Sequence, residues 1–309
     1  MPKIGNVNLE NNLILAPMLR INCVAYRLIC KRHGAGLLST AMVHPDSLFN
    51  QEDKLDIIKE EKPISVQIVG KDPEQMALAA QYLEEKADII DINLGCPDQK
   101  VLANHAGAFL IKHPDQMEKM VSKVVSSVNC PITAKIRIGW DDKSINAVEV
   151  SKILENNNLA AITVHGRTRK QGYRGKANWK IIRQVKEAVN IPIIANGDIF
   201  QPQDYQKIQN KTGADFYMIG RGAIGNPQIF ENCLRFKEGK KLIRKDITLI
   251  KKYLREFYTY YKKYSTRDNL SEIRQHAMWF AKGIKKGTEI KNKISRTKSV
   301  DEIFQILDD

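Results

Sequence analysis

The 309-residue sequence predicts an α/β fold: a (β/α)8 TIM barrel followed by a small all-α helical domain. Three observations lead there. Eight short apolar runs alternate with amphipathic stretches between residue 13 and residue 220. Those runs are apolar almost throughout, as strands covered on both faces must be. Near residue 240 the strand-like runs stop and helical periodicity takes over. The boundaries therefore read as 1–240 for the barrel and 241–309 for the helical domain. A doubly wound open sheet is the alternative, but eight repeats favour closure.

The runs are LILAP (13–17), GLLSTAM (36–42), ISVQIV (64–69), IIDIN (89–93), ITAKIRI (132–138), AAITVH (160–165), IPIIAN (191–196) and DFYMIG (215–220). Between them lie helical patterns. Residues 73–87 set Met76, Ala80 and Leu83 on one face, and residues 114–128 do the same with Met117, Val121 and Val124. In the tail, Ile247, Ile250, Leu254, Phe257, Tyr261 and Tyr264 recur at steps of three and four, as do Leu270, Ile273, Ala277, Phe280 and Ile284. These stripes read as core rather than as ligand sites.

Composition narrows the class. The N-terminus has no apolar signal-peptide region, and no apolar run reaches the roughly 18 residues of a membrane span. Cys23, Cys30, Cys96, Cys130 and Cys233 are scattered without CxxC spacing. That predicts reduced thiols in a cytoplasmic protein, with neither a disulfide framework nor a cysteine metal site. The net charge of +14 is unevenly spread: residues 235–309 hold 20 Lys and Arg against 10 Asp and Glu. A solvated lysine-rich surface would explain this, and so would a polyanion partner held through its phosphates.

In a barrel of this kind, chemistry sits at the C-terminal ends of the strands. The polar groups there are Gln67 in the third strand, Asn93 with Cys96 just beyond the fourth, and Lys135 in the fifth. His165-Gly166-Arg167 ends the sixth, Asn196-Gly197-Asp198 the seventh and Gly220-Arg221 the eighth. The first run ends in Ala16-Pro17-Met18. Glycines after the seventh and eighth strands suit backbone contact with a phosphate. Lys135, among branched apolar residues, needs an anion nearby. A phosphorylated cofactor that develops negative charge answers both demands, and reduced flavin mononucleotide is one.

These segments resemble the tRNA-dihydrouridine synthase family. The resemblance rests on ADIIDINLGCPDQKV, on AKIRIGW, on HGRTRKQGYRGKANW, on IPIIANGDI and on IGRGAIGNP, and resumes with IRQHAMWFAKG (273–283). It implies an FMN-bound barrel with a helical tRNA-binding domain, reducing a uridine C5=C6 bond with electrons from NADPH. Carried over, the flavin contacts fall on Ala16, Pro17, Met18, Gln67, Lys135 and His165, with Asn196, Gly197, Asp198, Gly220 and Arg221 at the ribityl chain and phosphate. The catalytic acid falls on Cys96. Asn93 would shape the uracil pocket, and Arg167, Arg274 and His276 fall among the substrate-side residues; the last two could equally be interdomain hydrogen-bonding residues.

The implied chemistry explains why a thiol follows the fourth strand. Hydride delivery to C6 builds negative charge at C5, which needs a proton from the opposite side. A thiol with a pKa of about 8.5 stays protonated at neutral pH and can give that proton up. Some positions depart from the family pattern. Leu19 and Arg20 stand where a small pair is usual, Ala41 where a carboxylate is usual, and Asn104 and His105 where basic residues are usual. Two other readings remain: a small-molecule FMN barrel oxidoreductase similar to dihydroorotate dehydrogenase, and a non-catalytic tRNA-binding protein.

Overall fold

The structure, a computed structural model, describes residues 1–50, 55–265 and 269–308. A short antiparallel pair, β1 (Lys3–Ile4) and β2 (Val7–Asn8), precedes the barrel. The barrel strands are β3 (Leu13–Leu15), β4 (Leu38–Ser39), β5 (Ile64–Ile68), β6 (Ile89–Leu94), β7 (Ile132–Arg137), β8 (Ala161–His165), β9 (Ile193–Asn196) and β10 (Phe216–Ile219). Each lies inside one of the eight apolar runs, or overruns it by a single residue. All pair in parallel, from β4 through β5 and onward to β10, and β10 pairs with β3. A bridge between Ile14 and Leu37 closes the cylinder.

The outer helices begin where the sequence supplies caps. Asp72 accepts from the Gln75 N–H at the start of α3 (Pro73–Leu83), with Pro73 in the first turn. Asn178 does the same for α7 (Trp179–Ala188), accepting from the N–H groups of Lys180 and Ile181. α8 (Pro202–Thr212) stops at Gly213, whose φ of +62° is the left-handed conformation that glycine adopts without a Cβ penalty. The apolar faces of α5 (Pro114–Val125) and α6 (Ala147–Asn156) bury Met117, Val121 and Val124, and Val150 and Leu154, in the core they share with the strands.

After α9 (Ile229–Lys237) the chain forms α10 (Ile247–Tyr264), α11 (Leu270–Phe280), α12 (Gly287–Ile294) and α13 (Val300–Asp308). α10 lies against α1 (Val24–Arg32), and the core runs without a break from Tyr26 and Ile29 to Tyr253, Phe257 and Phe280. Apolar area carries the joint, so these helices are packed onto the barrel and not tethered to it. No helix among the described residues is long and apolar enough to cross a membrane.

Candidate active site

A cavity of about 430 Å³ opens at the C-terminal ends of the barrel strands. Ala16, Pro17, Met18, Gln67, Asn93, Cys96, Lys135, His165, Asn196, Gly197, Asp198, Gly220 and Arg221 all line it. Strand register explains the convergence. Asn93 pairs with Lys135 across β6 and β7, Arg137 with His165 across β7 and β8, and His165 with Asn196 across β8 and β9. Each residue is thereby placed beside a neighbour that also reaches the mouth.

Cys96 stands on a loop held from three sides. The Gly95 and Cys96 N–H groups donate to Asn93 Oδ1 at 3.1 and 2.9 Å. The Arg137 guanidinium donates to the Gly95 carbonyl at 2.8 Å, and Ala108 N–H donates to the Cys96 carbonyl at 3.1 Å. Gly95 packs closely there: a Cβ would lie 3.2 Å from the Lys135 carbonyl oxygen. Burial raises the Cys96 thiol above its ordinary value; a hydrogen bond from the Asp98 backbone opposes the rise, the Asp98 carboxylate adds to it, and Arg137 and Lys135 oppose it. The group is therefore a neutral thiol at neutral pH.

The cavity wall is cationic. Lys135 makes no hydrogen bond or ion pair with any described residue, and burial, helped by Arg137, lowers it to about 8. Asp91, deeper in β6, supplies the nearest opposing charge. His165 is pushed well down by burial first, then by Lys135, Arg137, Arg167 and Arg221, so it is a neutral imidazole. Arg221 lies over the rings of Tyr173 and Phe200 at 4.8 and 5.4 Å from their centroids. An unpaired, half-buried ammonium facing a cavity that other cations also surround fits an anionic, phosphorylated ligand such as FMN.

Three of the substrate-side residues lie elsewhere. Arg167 is buried and grips Asp198 at 2.7 and 2.9 Å while donating to the carbonyls of Arg174 and Gly175. It locks the loops after β8 and β9 together. Arg274 donates to the Thr297 carbonyl at 3.0 Å, within the C-terminal helices. His276 is 1% exposed, stacked on Phe257 and edge-on to Trp279. Cys23, Glu272 and His276 bring three donor atoms within 4.8 Å of one another. Burial holds Cys23 up at about 12 and His276 down at about 3, and His276 Nδ1 lacks the partner that usually orients a metal-bound imidazole. The trio fills the seam between α1 and α11.

Sequence reasoning missed Arg137, Asp91, Tyr173 and Phe200. The first two carry a readable signal: each is two residues from a recognised site residue on its strand, hence on the same face.

With the geometry in place, comparison with known proteins is decisive. The family model described as "Dihydrouridine synthase (Dus)" matches residues 14–309. The chain belongs to the dihydrouridine synthase family. It is 38% identical over 292 residues to "tRNA-dihydrouridine synthase B" of Pasteurella multocida (strain Pm70), covering 91% of this chain and 87% of that protein. It is 37% identical over 309 residues to "Probable tRNA-dihydrouridine synthase" of Rickettsia prowazekii (strain Madrid E), covering 96% and 94%. Among solved structures, a variant of NCR from Zymomonas mobilis has a TM-score of 0.54 at 14% identity, over 80% of this chain and 92% of that one. Histamine dehydrogenase from Rhizobium sp. 4-9 has a TM-score of 0.55 at 12% identity, over 83% and 50%. These two likenesses concern the fold alone.

Proposed function

We propose that this chain is a flavin-dependent tRNA-dihydrouridine synthase that reduces the C5=C6 bond of particular uridines in tRNA, with FMN in the cavity and NADPH as reductant. One observation carries the reading: a protonated thiol, Cys96, on a braced loop at the mouth of a cavity whose wall presents the unpaired ammonium of Lys135. Family membership and relatives named tRNA-dihydrouridine synthases support it.

Bound there, reduced FMN would supply the hydride for uracil C6. Lys135 and His165 would face its ring and ribityl chain, and Gly197, Gly220 and Arg221 its phosphate. Cys96 gives its proton to C5 from the other side of the base and leaves a thiolate that Arg137 and Lys135 stabilise. Asn93, fixed by its own hydrogen bonds, borders the space left for the uracil.

A uridine must leave its stack to arrive there. A second groove, lined by Tyr260, Tyr261 and Tyr264, shares Leu19 and Met42 with the cavity and so leads from the C-terminal helices to the mouth. That path joins the basic segment to the site, which a small-molecule flavoenzyme would not need. The division into a catalytic barrel, 1–240, and a tRNA-binding helical domain, 241–309, belongs to the same proposal, as does a cytoplasmic location beside the tRNA pool.

The test is Cys96→Ala, assayed as dihydrouridine formed per turnover on tRNA lacking the modification. FMN and tRNA binding should persist while product falls by at least about a hundredfold, the scale of a lost general acid. Unimpaired product formation would remove the thiol from the reaction.

A further inference from the structure

We propose that Asp91 is a positioning residue: by fixing the direction of a side-chain hydrogen-bond relay across β5, β6 and β7, it holds the Cys96 loop in place. This rests on the reading of Cys96 as proton donor. Asp91 does not line the cavity and is 5% exposed. Register sets it between Gln67 on β5 and Thr133 on β7, and it shares a strand face with Asn93.

With Asp91 ionised, the relay has one polarity. Thr133 Oγ1 donates to Asp91 Oδ1 at 2.7 Å, and Gln67 Nε2 donates to Asp91 Oδ2 at 2.6 Å. A carboxylate only accepts, so Gln67 must turn its NH2 toward Asp91. Its Oε1 is left facing Asn93, whose Nδ2 donates to it at 2.8 Å. Asn93 Oδ1 is then the atom that faces the Gly95 and Cys96 N–H groups. Were either amide reversed, Asn93 would present an NH2 to two backbone donors, and the loop would lose both anchors. Asp91 thus acts on the thiol through two amides without touching it.

The arrangement predicts a rescue. An amide in place of the Asp91 carboxylate can point either way, so Asp91→Asn frees the relay to reverse. Adding Asn93→Asp moves the carboxylate to the other end. In that double variant the new amide on β6 would donate to Gln67, and Gln67 to the new carboxylate. The carboxylate would still accept from both loop N–H groups.

The measurement is hydrogen exchange in the FMN-loaded protein, read on the peptide bearing Gly95 and Cys96, alongside dihydrouridine formation on tRNA. Asp91→Asn should exchange roughly tenfold faster there, about the net worth of one hydrogen bond, and form product more slowly. The double variant should return exchange to within about threefold of the parent. Parent-like exchange in Asp91→Asn, or a double variant as fast as the single, overturns the proposal. Slower product with unchanged exchange also overturns it, placing the effect on Lys135 instead. If Asp91→Asn does not fold, the double variant decides alone: folded with parent-like exchange supports the relay, unfolded ends it. Should Cys96→Ala prove fully active while the exchange pattern holds, the thiol's chemical role fails and the relay stands.

Discussion

At Lys135, burial and the neighbouring Arg137 lower the ammonium while Asp91 raises it, and the balance is measurable. With the ammonium lowered to about 8, it is charged below that pH in the empty site. FMN binding beside a charged Lys135 then needs no proton uptake. Above that pH, binding must draw a proton in, so the apparent affinity for FMN should fall as pH rises, by up to about tenfold per unit. The fall ends at the higher pKa that bound FMN imposes on the lysine. Flavin fluorescence titrations of apoprotein between about pH 7 and 9.5 would show the slope in the parent and a flat line in Lys135→Met. A slope common to both would assign the proton to another group. Residue type and strand position made Lys135, His165 and Cys96 legible, because a cation, an imidazole and a thiol at strand ends are costly to place without purpose. Arg167 stands apart from them: it does not line the cavity, and its guanidinium grips Asp198, 31 residues downstream.

At the scale of elements, all eight strands were legible as apolar runs, since a parallel strand covered on both faces has no polar alternation to blur it. Caps and periodicity marked α3, α5 and the C-terminal stripes. The segment between β4 and β5 was less legible. It holds only the five-residue α2 (Pro45–Phe49) and a single 3-10 turn, Lys59–Glu61, among the described residues. There the fold relies on charge: Glu61, in the run KEEKP, looks solvated but is fully buried. Arg27 of α1 donates to its Oε1 at 2.6 Å and Oε2 at 3.1 Å, and to the backbone carbonyls of Asn22 and Asp56. The Ile58 N–H donates to the same carboxylate. This one pair ties α1, the turn and the entry to β5. Because Glu61→Gln leaves a buried guanidinium without its counter-charge, it should destabilise the protein by about 3 kcal/mol. Urea unfolding would register this as a lower midpoint at unchanged slope; a change below about 0.5 kcal/mol would mean the pair is solvated in solution.

On the scale of the whole molecule, the positive charge is joined to the mouth by a short route. Ile224 lines the cavity, and the next residue, Gly225, lies so close to α11 that a Cβ would collide with the Trp279 carbonyl. Lys245 donates to the carbonyls of both Gly225 and Lys282. The exposed Lys282 therefore sits beside the loop that follows β10, with Lys285 and Lys286 exposed a few residues further along the chain. In the sequence they were only part of a basic tail, because a charge count cannot say which lysines a fold gathers at one opening. If they meet tRNA phosphates, Lys285→Glu with Lys286→Glu should weaken tRNA binding and reduce the slope of log Kd against log salt by about 2, one unit per lost contact. FMN retention, which depends on the barrel, should not change. A weaker complex with the parental salt slope would mean that the substitutions disturbed the seam between α11 and the barrel, and that the phosphates are gripped by another face of the helices.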